Sequence, residues 1–310
     1  MCTNNILILA PKLGLRLIST RQSQRFNCFG VYAKERVQGR APTGPQQPEA
    51  SADPLLVHPD VRRLLLTIRA NVLAGRSLSI FAAMQLDISR FHPDADARAR
   101  ADKLVSLLIP VQKAYCTDRG FDACVMAQQV LGGHGYVAEW GLEQNVRDAR
   151  IAQIYEGANG VQALDLMGRK TVRANGELLA LLSEEMDAFV AAQEDVAAMQ
   201  PYLSSLATCR SVLAEATRFV IEGASQNPEE IGAASYAYME LMGLTLYCFM
   251  WQRILAAALA DKNDNNAEYL DGLVKVGEFF LARQVPRVHS LLAEIEAGSE
   301  SLMAMAASQF

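Results

Sequence analysis

The sequence predicts an all-α protein, and three observations carry that prediction. Apolar residues recur at three- and four-residue intervals, as on the buried face of a helix, along most of the 310 residues. Prolines, glycines and short polar runs separate these stretches. No segment shows a convincing alternation of apolar and polar residues, which would indicate a β-strand. We therefore expect about seven helices packed as a bundle.

The composition narrows the function classes. Apolar residues make up 51% of the chain and charged residues 20%, which is enough apolar material for a sizeable core. A net charge of −5 and a pI near 5.5 provide no basic surface for nucleic-acid phosphates. Six cysteines form no CxxC pair, and four histidines lack metal-ligand spacing, so we expect reduced, packed thiols and no metal site.

A linker and a first long helix are predicted at the start of the chain. Residues 31–40 suit the end of a polar helix, and the five prolines that follow, up to Pro59, predict an extended linker. Pro59 and Asp60 suit the first turn of a helix that continues to Phe91.

A second long helix is predicted from about residue 96 to 130, with a bend at Pro110. Cys116 and Cys124 lie on roughly one face of it and are expected to pack. The longest apolar run, residues 241–251, is too short to cross a bilayer, which requires about 20 residues, and predicts a buried core helix.

Further helices are predicted in the second half of the chain. They comprise one from about Leu178 that Pro201 ends, one over 203–224, one that Asn227-Pro228-Glu229-Glu230 caps and that continues to about Asp261, and a last helix with a kink at Pro286. In the cap, Glu230 is expected to reach back to a free N–H. A polar turn at 262–266 precedes the last helix.

The glycine cluster at residues 132–135 admits three interpretations. Residues 133–138 match the GxGxxA pattern of a dinucleotide fingerprint, which requires a preceding strand. The residues before it predict a helix, so a glycine-rich helix end is the simpler interpretation. In the third, the same helix end presents free N–H groups to a cofactor.

Glu156 is the single ionisable residue of the turn YEGANG. A carboxylate at such a turn, beside apolar residues, suits a general base whose pKa is raised by desolvation. A solvated glutamate of a turn is the alternative. The residue types alone leave both open.

The stretch GGHGYVAEWGLEQNVRDARIAQIYEGANGVQALDL resembles the C-terminal signature of the acyl-CoA dehydrogenases. The fragments YAKERVQGRAPTG, VHPDVRRLLLTIRA and AGSESLMAMAASQF resemble a subgroup with a helical extension, which includes the 3-methylmercaptopropionyl-CoA dehydrogenases. The resemblance implies a C-terminal helical bundle over 31–170 and a helical extension over 171–310. Residues 1–30 stay unassigned.

The resemblance also implies an FAD-dependent α,β-dehydrogenation of an acyl-CoA thioester. Glu156 matches the catalytic base, and Tyr155 and Gly157 match residues beside the substrate. The residues that match FAD contacts are Arg36 and Gln38 near the phosphates, Gln129, Gly132 and Gly133 across a subunit interface, and Ala158. Ala158 replaces a common threonine, so one hydroxyl contact of about 1 kcal/mol is missing.

Several expectations depend on the family's remaining domains. The N-terminal helical domain and the middle β-domain have no counterpart in the sequence, so we expect a truncated gene product whose first 30 residues are out of context. A transit peptide is the alternative, since residues 1–34 contain basic but no acidic residues.

The family acts in fatty acid metabolism and implies electron-transfer flavoprotein as acceptor. The helix count and the helical extension favour a homodimer or homotetramer. We expect a cytoplasmic location in a bacterium, or a mitochondrial one for a transit peptide. The alternative function is a non-catalytic helical module for assembly.

Overall fold

The computed structural model describes residues 22–310. Within this range it contains ten α-helices of at least seven residues and no β-strand beyond an isolated bridge between Val37 and Pro54. The all-α prediction is confirmed. The helices are α1 (Gln22–Glu35), α2 (Pro59–Phe91), α3 (Ala95–Leu131), α4 (Leu142–Ile154), α5 (Asn159–Asp165), α6 (Glu177–Gln193), α7 (Gln200–Ala224), α8 (Glu229–Ala260), α9 (Ala267–Arg283) and α10 (Arg287–Glu296).

The predicted N-terminal segment lies largely outside the described residues. Of the predicted segment 1–30, residues 1–21 are outside the described range, and the rest, from Gln22, forms part of α1. The division of the remaining chain at residue 170 stays a prediction.

Helices α2 and α3 form a long helical hairpin. Pro59 and Asp60 occupy the first turn of α2, as predicted, because a proline at that position removes no helical hydrogen bond and an acid suits the positive helix end. Asp94 caps α3 by accepting a hydrogen bond of 2.9 Å from the amide of Asp96. Pro110 lies inside α3 without ending it, and the bend there stays a prediction.

Helix α8 lies at the centre of the core. Residues 237–252 are all buried, including the run 241–251 that predicts a core helix. Tyr247 meets Tyr115 of α3 edge-on at 4.8 Å between ring centroids, and Trp251 packs against Phe280 of α9 at 6.1 Å. One continuous apolar cluster therefore joins the first and second halves of the chain.

Two helices are long and apolar enough to cross a membrane by length and composition, namely Pro59–Phe91 and Glu229–Ala260. In the second, 78% of the apolar window is buried by other parts of the chain. Such burial is typical of a core helix.

Three details of the second half differ from the prediction. Helix α6 already ends at Gln193, and Pro201 lies in the first turn of α7, where its missing N–H breaks no helical bond. The last helix is two helices, because Pro286 cannot donate a helical bond and clashes with the preceding turn. Glu230 accepts hydrogen bonds from the amide and hydroxyl of Ser299, at 3.1 and 2.6 Å, and from Nδ2 of Asn227 at 3.4 Å, rather than from a backbone N–H of its own helix start.

Candidate functional site

A cavity of about 310 Å³ opens where α3 ends. Its lining includes all but one of the residues that the resemblance assigns to the cofactor, which are Arg36, Gln38, Gln129, Gly132 and Gly133. They come from two distant parts of the chain, the segment after α1 and the end of α3. The fold thus brings together residues that are about 90 positions apart in the sequence.

Glycines shape the floor of this cavity. Gly132 ends α3 with a φ of +57°, a conformation that side chains disfavour. A Cβ added at Gly135 would lie 2.4 Å from the carbonyl oxygen of Gln128, so this position admits no side chain. The glycine-rich helix end is confirmed. The dinucleotide-fingerprint interpretation is wrong, because a helix and not a strand precedes the glycines.

An aromatic cluster lies at the rim of this cavity. His134 stacks on Trp140 with 4.9 Å between ring centroids and an interplanar angle of 8°. The Tyr32 hydroxyl lies 2.9 Å from Nδ1 of His134, and its ring meets Trp140 edge-on at 5.4 Å. His134 and Trp140 lie only six positions apart in the sequence, whereas their contact with Tyr32, about 100 positions away, has no local signal.

The predicted linker is held in place by one buried carboxylate, Asp53. It accepts hydrogen bonds from the amides of Ala41, Gln46 and Gln47 at 2.9, 3.0 and 2.8 Å. The amide of Ala41 contributes most to a pKa of Asp53 below its usual value. The backbone of Asp53 also accepts from Gln38 at 2.9 Å, so Asp53 positions the cavity wall.

Glu156 lies on the turn between α4 and α5. Its φ is +53° and that of Gly157 is +88°, so two successive residues adopt the left-handed region. Glu156 is exposed, and the apolar side chains of Ile154 and Val161 near it are 49% and 60% exposed. The enclosure expected for a base is therefore not formed by residues 22–310. Tyr155 is half-buried, and desolvation followed by the charge of Glu156 raises its pKa.

A buried polar network, which the sequence does not reveal, anchors this turn to α3. Asn159 accepts a hydrogen bond of 2.7 Å from Nζ of Lys113 and donates one of 2.7 Å to Oδ1 of Asp118. The same Asp118 oxygen accepts from Gln153 at 2.6 Å, and Tyr236 of α8 donates to its other oxygen at 2.6 Å. Both ends of the turn are thus tied to one stretch of α3.

Lys113 is the unusual member of the network. It is 2% exposed, and this burial lowers its pKa to about 8, while the charge of Asp118 opposes the shift. The sequence gives only a weak signal that Lys113 is buried, because a lysine in a predicted helix can extend its amine to solvent.

The predicted site residues fall into two groups. Tyr155, Glu156, Gly157 and Ala158 follow α4 near residues 113–118 of α3, whereas the cavity lies at the end of α3. At 1.5 Å per residue, the fourteen residues from Asp118 to Gly132 separate the groups by about 20 Å along the helix. The structure does not bring Ala158 to the cavity.

Two family models match successive parts of the chain. The model described as "Acyl-CoA dehydrogenase, C-terminal domain" matches residues 34–170, and "Acetyl-CoA dehydrogenase C-terminal like" matches residues 182–306. A 3-methylmercaptopropionyl-CoA dehydrogenase of Ruegeria pomeroyi is 35% identical over 262 residues, which are 82% of this chain and 43% of the relative. A broad-specificity linear acyl-CoA dehydrogenase of Mycobacterium tuberculosis is 28% identical over 303 residues, 94% of this chain and 49% of the relative.

A solved structure shows the same fold. The acyl-CoA dehydrogenase of Bacillus anthracis, determined in complex with FAD, superimposes with a TM-score of 0.68 at 17% sequence identity. The alignment covers 97% of this chain and 49% of that one. This chain spans about half the length of the curated relatives it matches. It belongs to the acyl-CoA dehydrogenase family, whose C-terminal helical regions it contains.

Proposed function

We propose that the chain supplies the catalytic base and part of the cofactor surface of an FAD-dependent acyl-CoA dehydrogenase, with a substrate like that of the 3-methylmercaptopropionyl-CoA dehydrogenases. The observation that carries the proposal is the cavity at the end of α3, which gathers five residues assigned to FAD by resemblance. Fold and family membership support the same reaction class.

The cavity suits part of a dinucleotide. A Cβ added at Gly132 or Gly133 would meet nothing within 4 Å, so there is open space for a ligand to approach the backbone closely. The Arg36 guanidinium at the rim suits a phosphate oxygen, and Gln38 and Gln129 supply amide donors and acceptors. The volume of about 310 Å³ fits one portion of FAD only.

The chemistry of the chain's own residues centres on Glu156. Its carboxylate would accept the α-proton of the thioester, while the buried network around Asn159 fixes the turn. Bound FAD supplies the hydride acceptor for the β-carbon. Tyr155 and Gly157 would border the acyl chain. A cover over Glu156 would make its carboxylate a stronger base by excluding water.

We also propose a homodimer or homotetramer, in which the cavity of one chain serves the cofactor of another. The distance of about 20 Å between the cavity and the Glu156 turn supports this assignment. Electron-transfer flavoprotein as the acceptor and a cytoplasmic location are proposed on family grounds. The mitochondrial alternative depends on residues 1–30, of which 1–21 lie outside the described part.

The exposed apolar side chains near Glu156 favour one alternative, a helical module for assembly without turnover. Exchange of the substrate's α-hydrogens in D₂O distinguishes the two functions, because it requires the base but no net oxidation. With the purified chain, FAD and an acyl-CoA, we expect exchange that Glu156→Gln abolishes. Exchange equal in both proteins, or absent from both, would contradict the catalytic role.

Flavin binding is tested separately by quenching of FAD fluorescence. We expect Arg36→Gln to weaken binding about tenfold, as loss of one charge-assisted contact would. Arg90→Gln, which removes an exposed arginine at the far end of α2, serves as the matched control. Equal affinity of the two variants would contradict the cavity assignment.

A further inference from the structure

A second and larger cavity, of about 550 Å³, lies between α2, α3 and the corner that joins α9 to α10. It shares no lining residue with the cavity at the end of α3. Four arginines from four different helices or turns line it, namely Arg63, Arg119, Arg283 and Arg287. Asp122 is the single acidic residue of the lining.

Two of these arginines, Arg119 and Arg287, have acidic partners that do not satisfy all of their N–H donors. Arg119 pairs with Asp122 and Glu240, both at 3.2 Å, yet its Nε is buried without a partner among the described residues. Arg287 lies 3.9 Å from the same Glu240. Two arginines therefore share one carboxylate, and a buried donor stays unsatisfied.

The other two arginines, Arg63 and Arg283, increase the positive charge of the cavity lining. Arg63 pairs with the exposed Asp60 at 2.8 Å. Arg283 forms no ion pair with any residue in the range 22–310. Burial raises the pKa of Asp122 and of Glu240, and the charge of Arg119 opposes that shift in both.

Uncharged walls of the cavity also suit a ligand. Thr67 and Asn71 are 8% and 7% exposed, and their side chains make no hydrogen bond to another residue of the described range. Buried polar groups are normally satisfied, so water or a ligand is the expected partner. Phe121 and Phe279 provide apolar surface on the same cavity.

We propose that this cavity is a binding site for a small anion of the phosphate class, held by Arg283, Arg119 and Asn71. Guanidinium groups match phosphate oxygens with paired donors, and amide groups complete the shell. The aromatic walls leave space for an organic group on the phosphate. The site does not depend on the proposed dehydrogenase activity, since none of its residues belongs to either part of that site.

Calorimetric titration of the purified chain with inorganic pyrophosphate, and separately with adenosine monophosphate, tests the proposal. We expect saturable binding of at least one of them. Arg283→Gln should raise the dissociation constant about tenfold, because it removes one paired contact. Arg283→Lys should restore part of the affinity. Tighter binding of the nucleotide identifies an organic phosphate, and tighter binding of pyrophosphate an inorganic one.

Two matched variants separate this site from other basic surfaces. Arg90→Gln removes an exposed arginine on α2, and Arg36→Gln removes the arginine of the first cavity. Arg90→Gln should bind the anion as the unsubstituted chain does. The loss caused by Arg283→Gln should persist in the Arg36→Gln background, where the first cavity lacks its arginine. Failure of both anions to bind, unchanged affinity in Arg283→Gln, or a loss confined to Arg36→Gln would overturn the proposal. Circular dichroism confirms that each variant is folded.

Discussion

Lys113 couples the stability of the chain to pH. Its pKa falls from 10.5 to about 8 in the folded state, chiefly because burial disfavours the charged amine. Between these pH values the unfolded chain retains a proton that the folded chain has released. The free energy of unfolding therefore gains a contribution from Lys113 that increases with pH across this window.

The variant Lys113→Met isolates this contribution. Buried tyrosines and thiols titrate in both proteins, so their effects cancel in the difference. We expect the free energy of unfolding of the unsubstituted chain, relative to the variant, to increase by up to about 1.4 kcal/mol per pH unit above pH 8. Urea denaturation at several pH values measures it. A difference that stays flat or decreases would contradict a buried, partly neutral lysine.

The backbone of Glu156 is a second residue-scale feature with a measurable cost. A non-glycine residue at a φ of +53° is disfavoured by about 1 kcal/mol, and such conformations persist where a site requires them. We expect Glu156→Gly to be more stable than Glu156→Ala by about this amount. Glu143, in the first turn of α4, provides the inverse control, since alanine should exceed glycine there. Equal stability of both Glu156 variants would contradict backbone strain.

At the scale of elements, the contact between α3 and α8 depends on a glycine. A Cβ added at Gly243 would lie 2.2 Å from the ring of Tyr115. That ring cannot move aside easily, because it is buried, packs on Tyr247, and has the Arg119 guanidinium 5.0 Å above it. The close approach of the two helices therefore requires a residue without a side chain.

Gly243→Ala should therefore destabilise the chain by about 3 kcal/mol, as overpacking of a rigid core does. Gly232 lies on the same helix with nothing within 4 Å of an added Cβ. Gly232→Ala should be neutral or stabilise by up to about 1 kcal/mol. Thermal or urea denaturation compares the two. Similar stability of both variants would show that α3 and α8 separate readily.

The sequence predicts elements better than it predicts their contacts. Helix starts with local signals were predictable, as Pro59 in α2 shows, because proline chemistry acts within one turn. Pro201 and Pro286 show the limit, since a proline marks a boundary without telling which helix it belongs to. The roles of Asp53 and Lys113 depend on partners from other segments, and no local pattern contains that information.

The candidate site divides in the same way. The resemblance names both groups of site residues, and the structure gathers five of them in one cavity. The contact of Tyr32 with His134 and Trp140, and the arginine-lined cavity, arise only when distant helices pack. No regular spacing of residues in the sequence predicts either feature.

At the scale of the molecule, the two regions matched by the family models share one core. Phe81 of α2 packs on Phe249 of α8, and Trp251 donates a hydrogen bond of 3.3 Å to the carbonyl of Ala70. Apolar contacts of this kind extend from residue 70 to residue 295. Division of the core would expose large apolar surfaces, so we expect the described helices to unfold together.

The chain's two tryptophans, Trp140 and Trp251, test this cooperativity because one lies in each region. In Trp251→Phe, fluorescence reports the first region through Trp140. In Trp140→Phe, it reports the second. Within each variant, we expect the urea midpoint from fluorescence to coincide with the midpoint from helical circular dichroism, whatever stability the substitution costs. In Trp251→Phe, a fluorescence midpoint at clearly lower urea than the circular-dichroism midpoint would contradict this. It would show that the first region, which holds the cofactor cavity, unfolds before the C-terminal extension.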